Sequence, residues 1–366
     1  MFVEDLKWWL RLHGVPGVGP VLYGELLRRF KTPEAVFAAS LDALMGVPRV
    51  DRETALAIRA GGDEAWIEGQ VRAVQEAGAT LLTLGDSRYP PLLREAPAPP
   101  PILFVKGSWE VWQGPCVAVV GARQSTFYGR QAAKILASGL AERGFTVVSG
   151  MARGIDAAAH GAVLEKGGKT VAVLGCGVDV LYPPEHRGLY DAIGRAGALI
   201  SEFPMGTDPE PHHFPQRNRV ISGLSLGVLV VEASLQSGAL LTAQHALEQG
   251  REVFAVPGPI TSGKSEGANR LIQQGAKLVQ TVEDVVEELQ TNLRGAPPPV
   301  RAPAQAPGDL PDEERAILDA LAEEAVHVDA LAAATGLPVG RALSALLSLE
   351  LAGLVRQLPG KRFMRM

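Results

Sequence analysis

Six short runs of β-branched and aliphatic residues recur along the middle of the chain, at residues 116–120, 146–149, 170–174, 198–201, 227–231 and 252–256. Each is continuously apolar rather than alternating, and helix-length segments separate them. That pattern predicts a parallel sheet buried on both faces, an α/β core of Rossmann-like type. In such a sheet the ligand crevice lies at the carboxyl ends of the strands, so the residues following each run carry the functional information.

The pattern changes on either side of this core. Residues 291–311 are rich in Pro and Ala and have no periodicity, which is the composition of a linker. A softer break, Ala96-Pro97-Ala98-Pro99-Pro100-Pro101, precedes a strand-like Ile102-Leu103-Phe104-Val105. The expected organisation is a helical domain over 1–80, the sheet domain over 81–290, a linker over 291–310 and a small domain over 311–366.

Within the first domain, Leu12-His13-Gly14-Val15-Pro16-Gly17-Val18-Gly19-Pro20 runs into the helical Val21–Phe30 stretch, which has the look of a SAM-like helix-hairpin-helix module. Its Gly-Val-Gly turn would let backbone amides approach a phosphate at a helix start. A second turn, Gly46-Val47-Pro48-Arg49-Val50, lacks the second glycine and is the poorer phosphate binder. Either the module contacts DNA or it serves as a packing unit. Residues 311–366 read as three helices followed by a strand pair around Pro359-Gly360, the winged-helix pattern. Its third helix offers one basic residue, Arg341, so sequence-specific groove reading is not expected. Lys361, Arg362 and Arg365 of the wing are available for phosphate or for a protein partner.

Composition narrows the function. With 46% hydrophobic and 20% charged residues the chain has material for cores. The 35 Lys+Arg against 40 Asp+Glu leave a net charge of −5, so a polyanion must be held by a local site rather than by bulk charge. The N-terminus lacks a basic start followed by an apolar run, and no stretch of about 18 uninterrupted apolar residues occurs. A cytoplasmic chain without membrane insertion is expected. The two cysteines, Cys116 and Cys176, lie in apolar strand contexts without metal-ligand spacing, so buried thiols are expected, with no metal and no cofactor.

The loops after the strands gather anion-binding residues. The first reads Gly121-Ala122-Arg123-Gln124-Ser125-Thr126, where Arg123 occupies a position at which a dinucleotide fingerprint needs glycine. A forked guanidinium there, with Ser125, Thr126 and the helix start behind it, suits phosphate. The second, Ser149-Gly150-Met151-Ala152-Arg153-Gly154-Ile155-Asp156, sets arginine between glycines, with Asp156 placed to cap the helix or orient Arg153. His160, one turn on, reads as a packed histidine. After the fourth strand, Phe214-Pro215-Gln216-Arg217-Asn218-Arg219 combines a stacking ring with cations, the pairing single-stranded nucleic acid uses. After the fifth, Ser237-Gly238 opens a helix whose amides face the crevice.

These blocks resemble the DNA processing protein A family (DprA, also called Smf). Gly-Ala-Arg-(x)2-Thr-x-Tyr-Gly, Ser-Gly-Met-Ala-Arg-Gly-Ile-Asp-(x)3-His, Ser-Glu-Phe-Pro, Phe-Pro-x-Arg-Asn-Arg-Val-Ile-Ser-Gly-Leu and Ser-Gly-(x)3-Thr-Ala recur in order across 119–279. The resemblance implies a dimeric single-stranded DNA-binding protein that helps load the recombinase RecA onto incoming DNA in natural transformation. It implies that Gly121, Arg123, Gly150, Phe214, Arg217 and Asn218 hold the strand by phosphates and a few bases. Some members carry a lysine just before the Phe-Pro block; here that stretch reads Pro211-His212-His213.

No activated nucleophile is evident, because Ser149, Ser201 and Ser237 fall on different strand ends and no His-Asp pairing is suggested. The rival reading is a nucleoside-monophosphate-cleaving enzyme of related fold. Its Pro-Gly-Gly-x-Gly-Thr-(x)2-Glu signature is missing from 234–242, so a non-enzyme is expected. Dimerisation is expected near 269–279, where Leu271 and Ile272 lie on a short amphipathic helix, although the same pair could pack on the sheet.

Overall fold

The computed structural model describes residues 3–293, 311–321, 326–351, 354–358 and 362–365. Most of the Pro/Ala-rich linker, the Pro359-Gly360 turn and Lys361 lie outside the described residues. Two compact units result, 1–289 and 290–366.

The first unit is built on a nine-stranded sheet. In chain order its strands are β1 (Thr80–Thr83), β2 (Ile102–Gly107), β3 (Cys116–Val120), β4 (Thr146–Ser149), β5 (Thr170–Val173), β6 (Ala198–Ser201), β7 (Gly227–Val230), β8 (Glu252–Ala255) and β9 (Lys277–Leu278). Their spatial order is β1-β2-β6-β5-β4-β3-β7-β8-β9. From β6 to β9 every pairing is parallel, whereas β1 and β2 add antiparallel at one edge. Strands β3, β4 and β5 are buried along their whole length. Two clusters flank the sheet, one including Ala118, Val148 and Val228, the other Val117, Val147 and Leu229. Alternate residues of each strand thus enter opposite cores, which is why these strands read as continuous apolar runs.

The chain leaves β3 toward β4 on one side and leaves β7 toward β8 on the other. Strand order therefore reverses between β3 and β7, and the crevice beyond their carboxyl ends is where an open α/β sheet presents a ligand site.

The N-terminal helices are joined to this sheet. Leu10, Ile67 and Val74 share a core with Phe104 and Leu199. Gln70 clamps Met205 by two hydrogen bonds, Nε2 donating to Met205 O (3.2 Å) and Oε1 accepting from Met205 N (2.8 Å). Two similar turns organise the module. Val18 N donates to Val15 O at 3.1 Å in the first, and Val50 N to Val47 O at 3.1 Å in the second. Gly17 (φ +85°) and Arg49 (φ +70°) occupy matching left-handed positions, which glycine accepts freely and arginine only at a cost. The helix starts differ: Pro20–Phe30 begins at Gly19 without a side-chain cap, whereas the Asp51 carboxylate accepts from Thr54 N (2.8 Å) ahead of Arg52–Ala60.

The second unit has helices Asp312–Ala320, Val328–Thr335 and Val339–Leu351 and a three-stranded sheet, β10 (Val326–His327), β11 (Val355–Leu358) and β12 (Arg362–Arg365), in the order β10-β12-β11. Its core includes Ile317, Leu331, Leu346, Leu349 and Phe363. This is the winged-helix arrangement. Arg341 on the third helix pairs with Glu313 at 3.0 Å. Among the described residues, no helix is long and apolar enough to cross a membrane.

Candidate nucleic-acid interface

A cavity of about 590 Å³ opens at the β3/β7 switch point. Its walls come from the loop after β3, the loop after β7 and the helix His213–Gly223, with Arg123, Phe214, Arg217, Asn218, Ser237 and Gly238 among the lining residues. Residues distant in the chain thus meet because their strands end side by side.

Phe214 organises the two arginines. Its half-buried ring lies 4.9 Å from the Arg123 guanidinium carbon and 6.0 Å from that of Arg217, with Tyr182 packed against it at 5.5 Å between ring centroids. Arg123 is exposed at the mouth. Arg217 is buried (4% exposed), and its Nη1 donates to Gly150 O (2.9 Å) and to Val173 O. Burial lowers the Arg217 pKa to about 10, opposed by the nearby Asp156 carboxylate. Its Nε has no protein partner, so a buried donor remains unspent at the cavity wall. Asn218 Nδ2 donates to Gly238 O (3.2 Å), and Ser237 Oγ accepts from Ala239 N (3.3 Å) as the cap of helix Gly238–Glu248.

Most other residues singled out in the sequence have internal partners. Thr126 caps helix Phe127–Glu142, accepting from Gly129 N (3.0 Å), and its own amide and hydroxyl donate to the buried Glu232 carboxylate. A carboxylate from the loop after β7 therefore holds the helix start that a phosphate would have used. Ser125 Oγ is buried without a partner. Ser149 is fully buried, donating to Val119 O (2.6 Å) between strands. Gly121 and Gly154 lie where the loops touch; Ile155 N donates to Ala122 O (3.3 Å), and Ala122 N to Glu232 O (2.7 Å). Arg153 forms an exposed ion pair with Glu185. Asp156 does not orient it, but accepts from Gly150 N (3.1 Å) and Ala152 N (3.3 Å). Arg219 turns away from the cavity, pairing with buried Glu202 and donating to Ala98 O (2.7 Å).

His212 pairs with Glu210 at 3.3 Å, and His213 packs on Phe203 at 4.2 Å; neither lines the cavity. A cation the sequence reading passed over, Lys264 from the loop after β8, lines it instead, donating to Gln124 O (2.7 Å). His160 is a packed residue: its Nδ1 meets Thr170 Oγ1 at 2.7 Å, and burial lowers its pKa to about 3. Leu271 and Ile272 pack against the sheet core, while Leu278 on the edge strand β9 is exposed.

The charge set decides what the cavity suits. Among the described residues, three cationic side chains line it against one carboxylate, Asp156, which is buried, bonded to two amides and raised in pKa by desolvation. Guanidinium groups around an aromatic face fit a phosphate and a base together. A carboxylate poised for acid–base work at a glycosidic bond is not among the described lining residues.

Known proteins resemble this chain in sequence and in fold. Residues 80–290 match the model for DNA recombination-mediator protein A, 301–361 the DprA winged helix domain, and 10–61 the SAM-like helix-hairpin-helix tandem. The chain is 39% identical to protein Smf of Escherichia coli, over 97% of its own length and 95% of that protein. It is 46% identical to DNA processing protein DprA of Streptococcus pneumoniae over 56% of its length and 72% of that protein. The X-ray structure of the pneumococcal protein superposes with a TM-score of 0.70 at 36% identity, covering 79% of this chain and 99% of that one. A structure of DNA processing protein A from Helicobacter pylori, described for its single-stranded DNA binding mode, gives a TM-score of 0.53 at 28% identity, covering 58% and 96%.

Proposed function

Because the chain belongs to the DNA recombination-mediator protein A family, we propose that it binds single-stranded DNA in the β3/β7 cavity as a cytoplasmic recombination mediator. It protects incoming strands and helps load RecA during natural transformation. The observation that carries this reading is the pair of guanidinium groups on the Phe214 ring, one exposed and one buried with an unused donor. In the proposed mode, Arg123 takes a phosphate at the mouth, Phe214 stacks on a base, and Asn218, Ser237 and Gly238 line the far wall. Gly121 lines the cavity beside Arg123, whereas Gly150, Gly154, Thr126, Ser149 and Arg219 act by shaping the loops rather than by touching the strand.

Duplex DNA binds less well in this mode, since its bases are stacked and unavailable to Phe214. The protein forms a homodimer through the end of the central domain, a proposal supported by exposed Leu278 on the open edge of β9. No catalysis is assigned. Competition between single-stranded and duplex oligonucleotides tests the strand preference, and incubation with AMP followed by assay for free base tests the absence of glycosidic cleavage. Equal affinity for the duplex, or release of adenine, would overturn the corresponding part.

A further inference from the structure

The segments that follow β3 and β8 and contribute Gln124 and Lys264 to the cavity also carry apolar side chains that no core absorbs. Phe127 opens helix Phe127–Glu142 with 71% of its surface exposed, beside Tyr128 at 50%. Ile260, in the loop after β8, is 93% exposed. Two hydrogen bonds join these segments: Tyr128 OH donates to Pro257 O (2.8 Å), and Lys264 Nζ to Gln124 O (2.7 Å). Gln124 and Lys264 themselves line the cavity, so the exposed ring and Ile260 belong to segments continuous with its mouth. Arg130, one turn beyond Phe127, is exposed as well.

Among the described residues, Phe127 belongs to no hydrophobic core. The combination of an open aromatic face with Lys264 and Arg130 matches the chemistry of an unpaired nucleotide, a π-face followed by a phosphate. It does not match a purely apolar protein partner, which would leave those cations desolvated. We infer that Phe127 forms a second stacking platform for bases of the strand that have left the cavity. The inference rests on the single-stranded DNA reading of the cavity and extends the strand's path across the loops after β3 and β8.

The test is affinity for oligothymidylates of about 4 and about 16 nucleotides, the span single-stranded modules cover, with wild type, Phe127→Ala and Arg123→Ala in the full chain. Phe127→Ala should lose about tenfold for the long oligonucleotide and nothing for the short one, as expected for one lost base stack. Arg123→Ala should weaken both. In Phe127→Trp, added emission above the wild-type tryptophan background should be quenched by the long oligonucleotide alone. Unchanged long-oligonucleotide affinity in Phe127→Ala, or equal losses at both lengths, would overturn the platform while leaving the cavity reading intact. Insensitivity to Arg123→Ala at both lengths would overturn the cavity reading and the platform with it. Matching thermal melting curves for the variants check that exposed Phe127 has no folding role.

Discussion

The Arg217 guanidinium lies so close to Gly150 that a β-carbon at residue 150 would stand 2.6 Å from Nη1. Arg217 is enclosed and also bonded to Gly150 O, so it cannot swing aside. Gly150 is therefore required by the side chain of the helix that follows β6 and not by its own backbone conformation. Gly150→Ala should cost about 1–3 kcal/mol of stability, the range for overpacking, and should weaken DNA binding because Arg217 is displaced. Urea unfolding and oligonucleotide titration of the same variant check both effects; a neutral substitution would contradict the packing described.

The two arginines should separate experimentally. Arg123 is exposed, and Arg123→Ala should leave the melting temperature unchanged while weakening binding by about 1–3 kcal/mol, as for a charge-assisted hydrogen bond. Arg217→Ala should destabilise the fold as well, by about 1–3 kcal/mol, because it leaves two buried carbonyls without their donor. Thermal melts of the two variants decide this.

Glu232 and Thr126 form a junction between the loops after β3 and β7. Glu232→Gln keeps the shape but removes the charge at the start of helix Phe127–Glu142, and should lower stability by about 1–2 kcal/mol. If that helix start instead served an anionic ligand, the substitution would raise DNA affinity at constant stability; denaturation and binding measured together distinguish the outcomes.

His160 makes stability depend on pH. Burial holds its folded pKa at about 3, below the ordinary value of 6.5, so the unfolded chain binds the extra proton between these values. The stabilisation from keeping it neutral is complete above the unfolded pKa and is lost as pH falls toward the folded one. Relative to His160→Asn, wild type should lose up to about 1.4 kcal/mol per pH unit below about 6. Urea midpoints from pH 7.5 down to about 4.5 give the comparison, and a constant difference would show that His160 binds its proton equally in the folded and unfolded chain, contradicting its burial as a neutral ring.

Much of this was legible in the chain. The six core strands announce themselves because burial on both faces removes polar alternation, and the loops after them name Arg123, Phe214, Arg217 and Asn218. Edge strands were less legible: Thr80–Thr83 sets only two leucines between threonines, and β9 is two residues long, too short for any pattern. Side-chain direction was the larger gap. Arg217 and Arg219 are two residues apart on one helix, so they point to different surroundings, one into the cavity and the other to Glu202. Glu232 is 106 residues from Thr126, and nothing local indicates that its carboxylate fills that helix start. Lys264 reaches the cavity from the loop after β8, through its hydrogen bond to Gln124 O, a meeting of two loops that nothing local in the sequence indicates.

The central claim is that Arg123 at the mouth of the β3/β7 cavity holds a phosphate of an unpaired strand. The most direct measurement is the affinity of wild type and Arg123→Ala for oligothymidylate across a salt series. Loss of one phosphate contact should lower affinity at every salt concentration and reduce the slope of log affinity against log salt by about 0.7. Identical affinities and slopes for the two proteins would contradict the account.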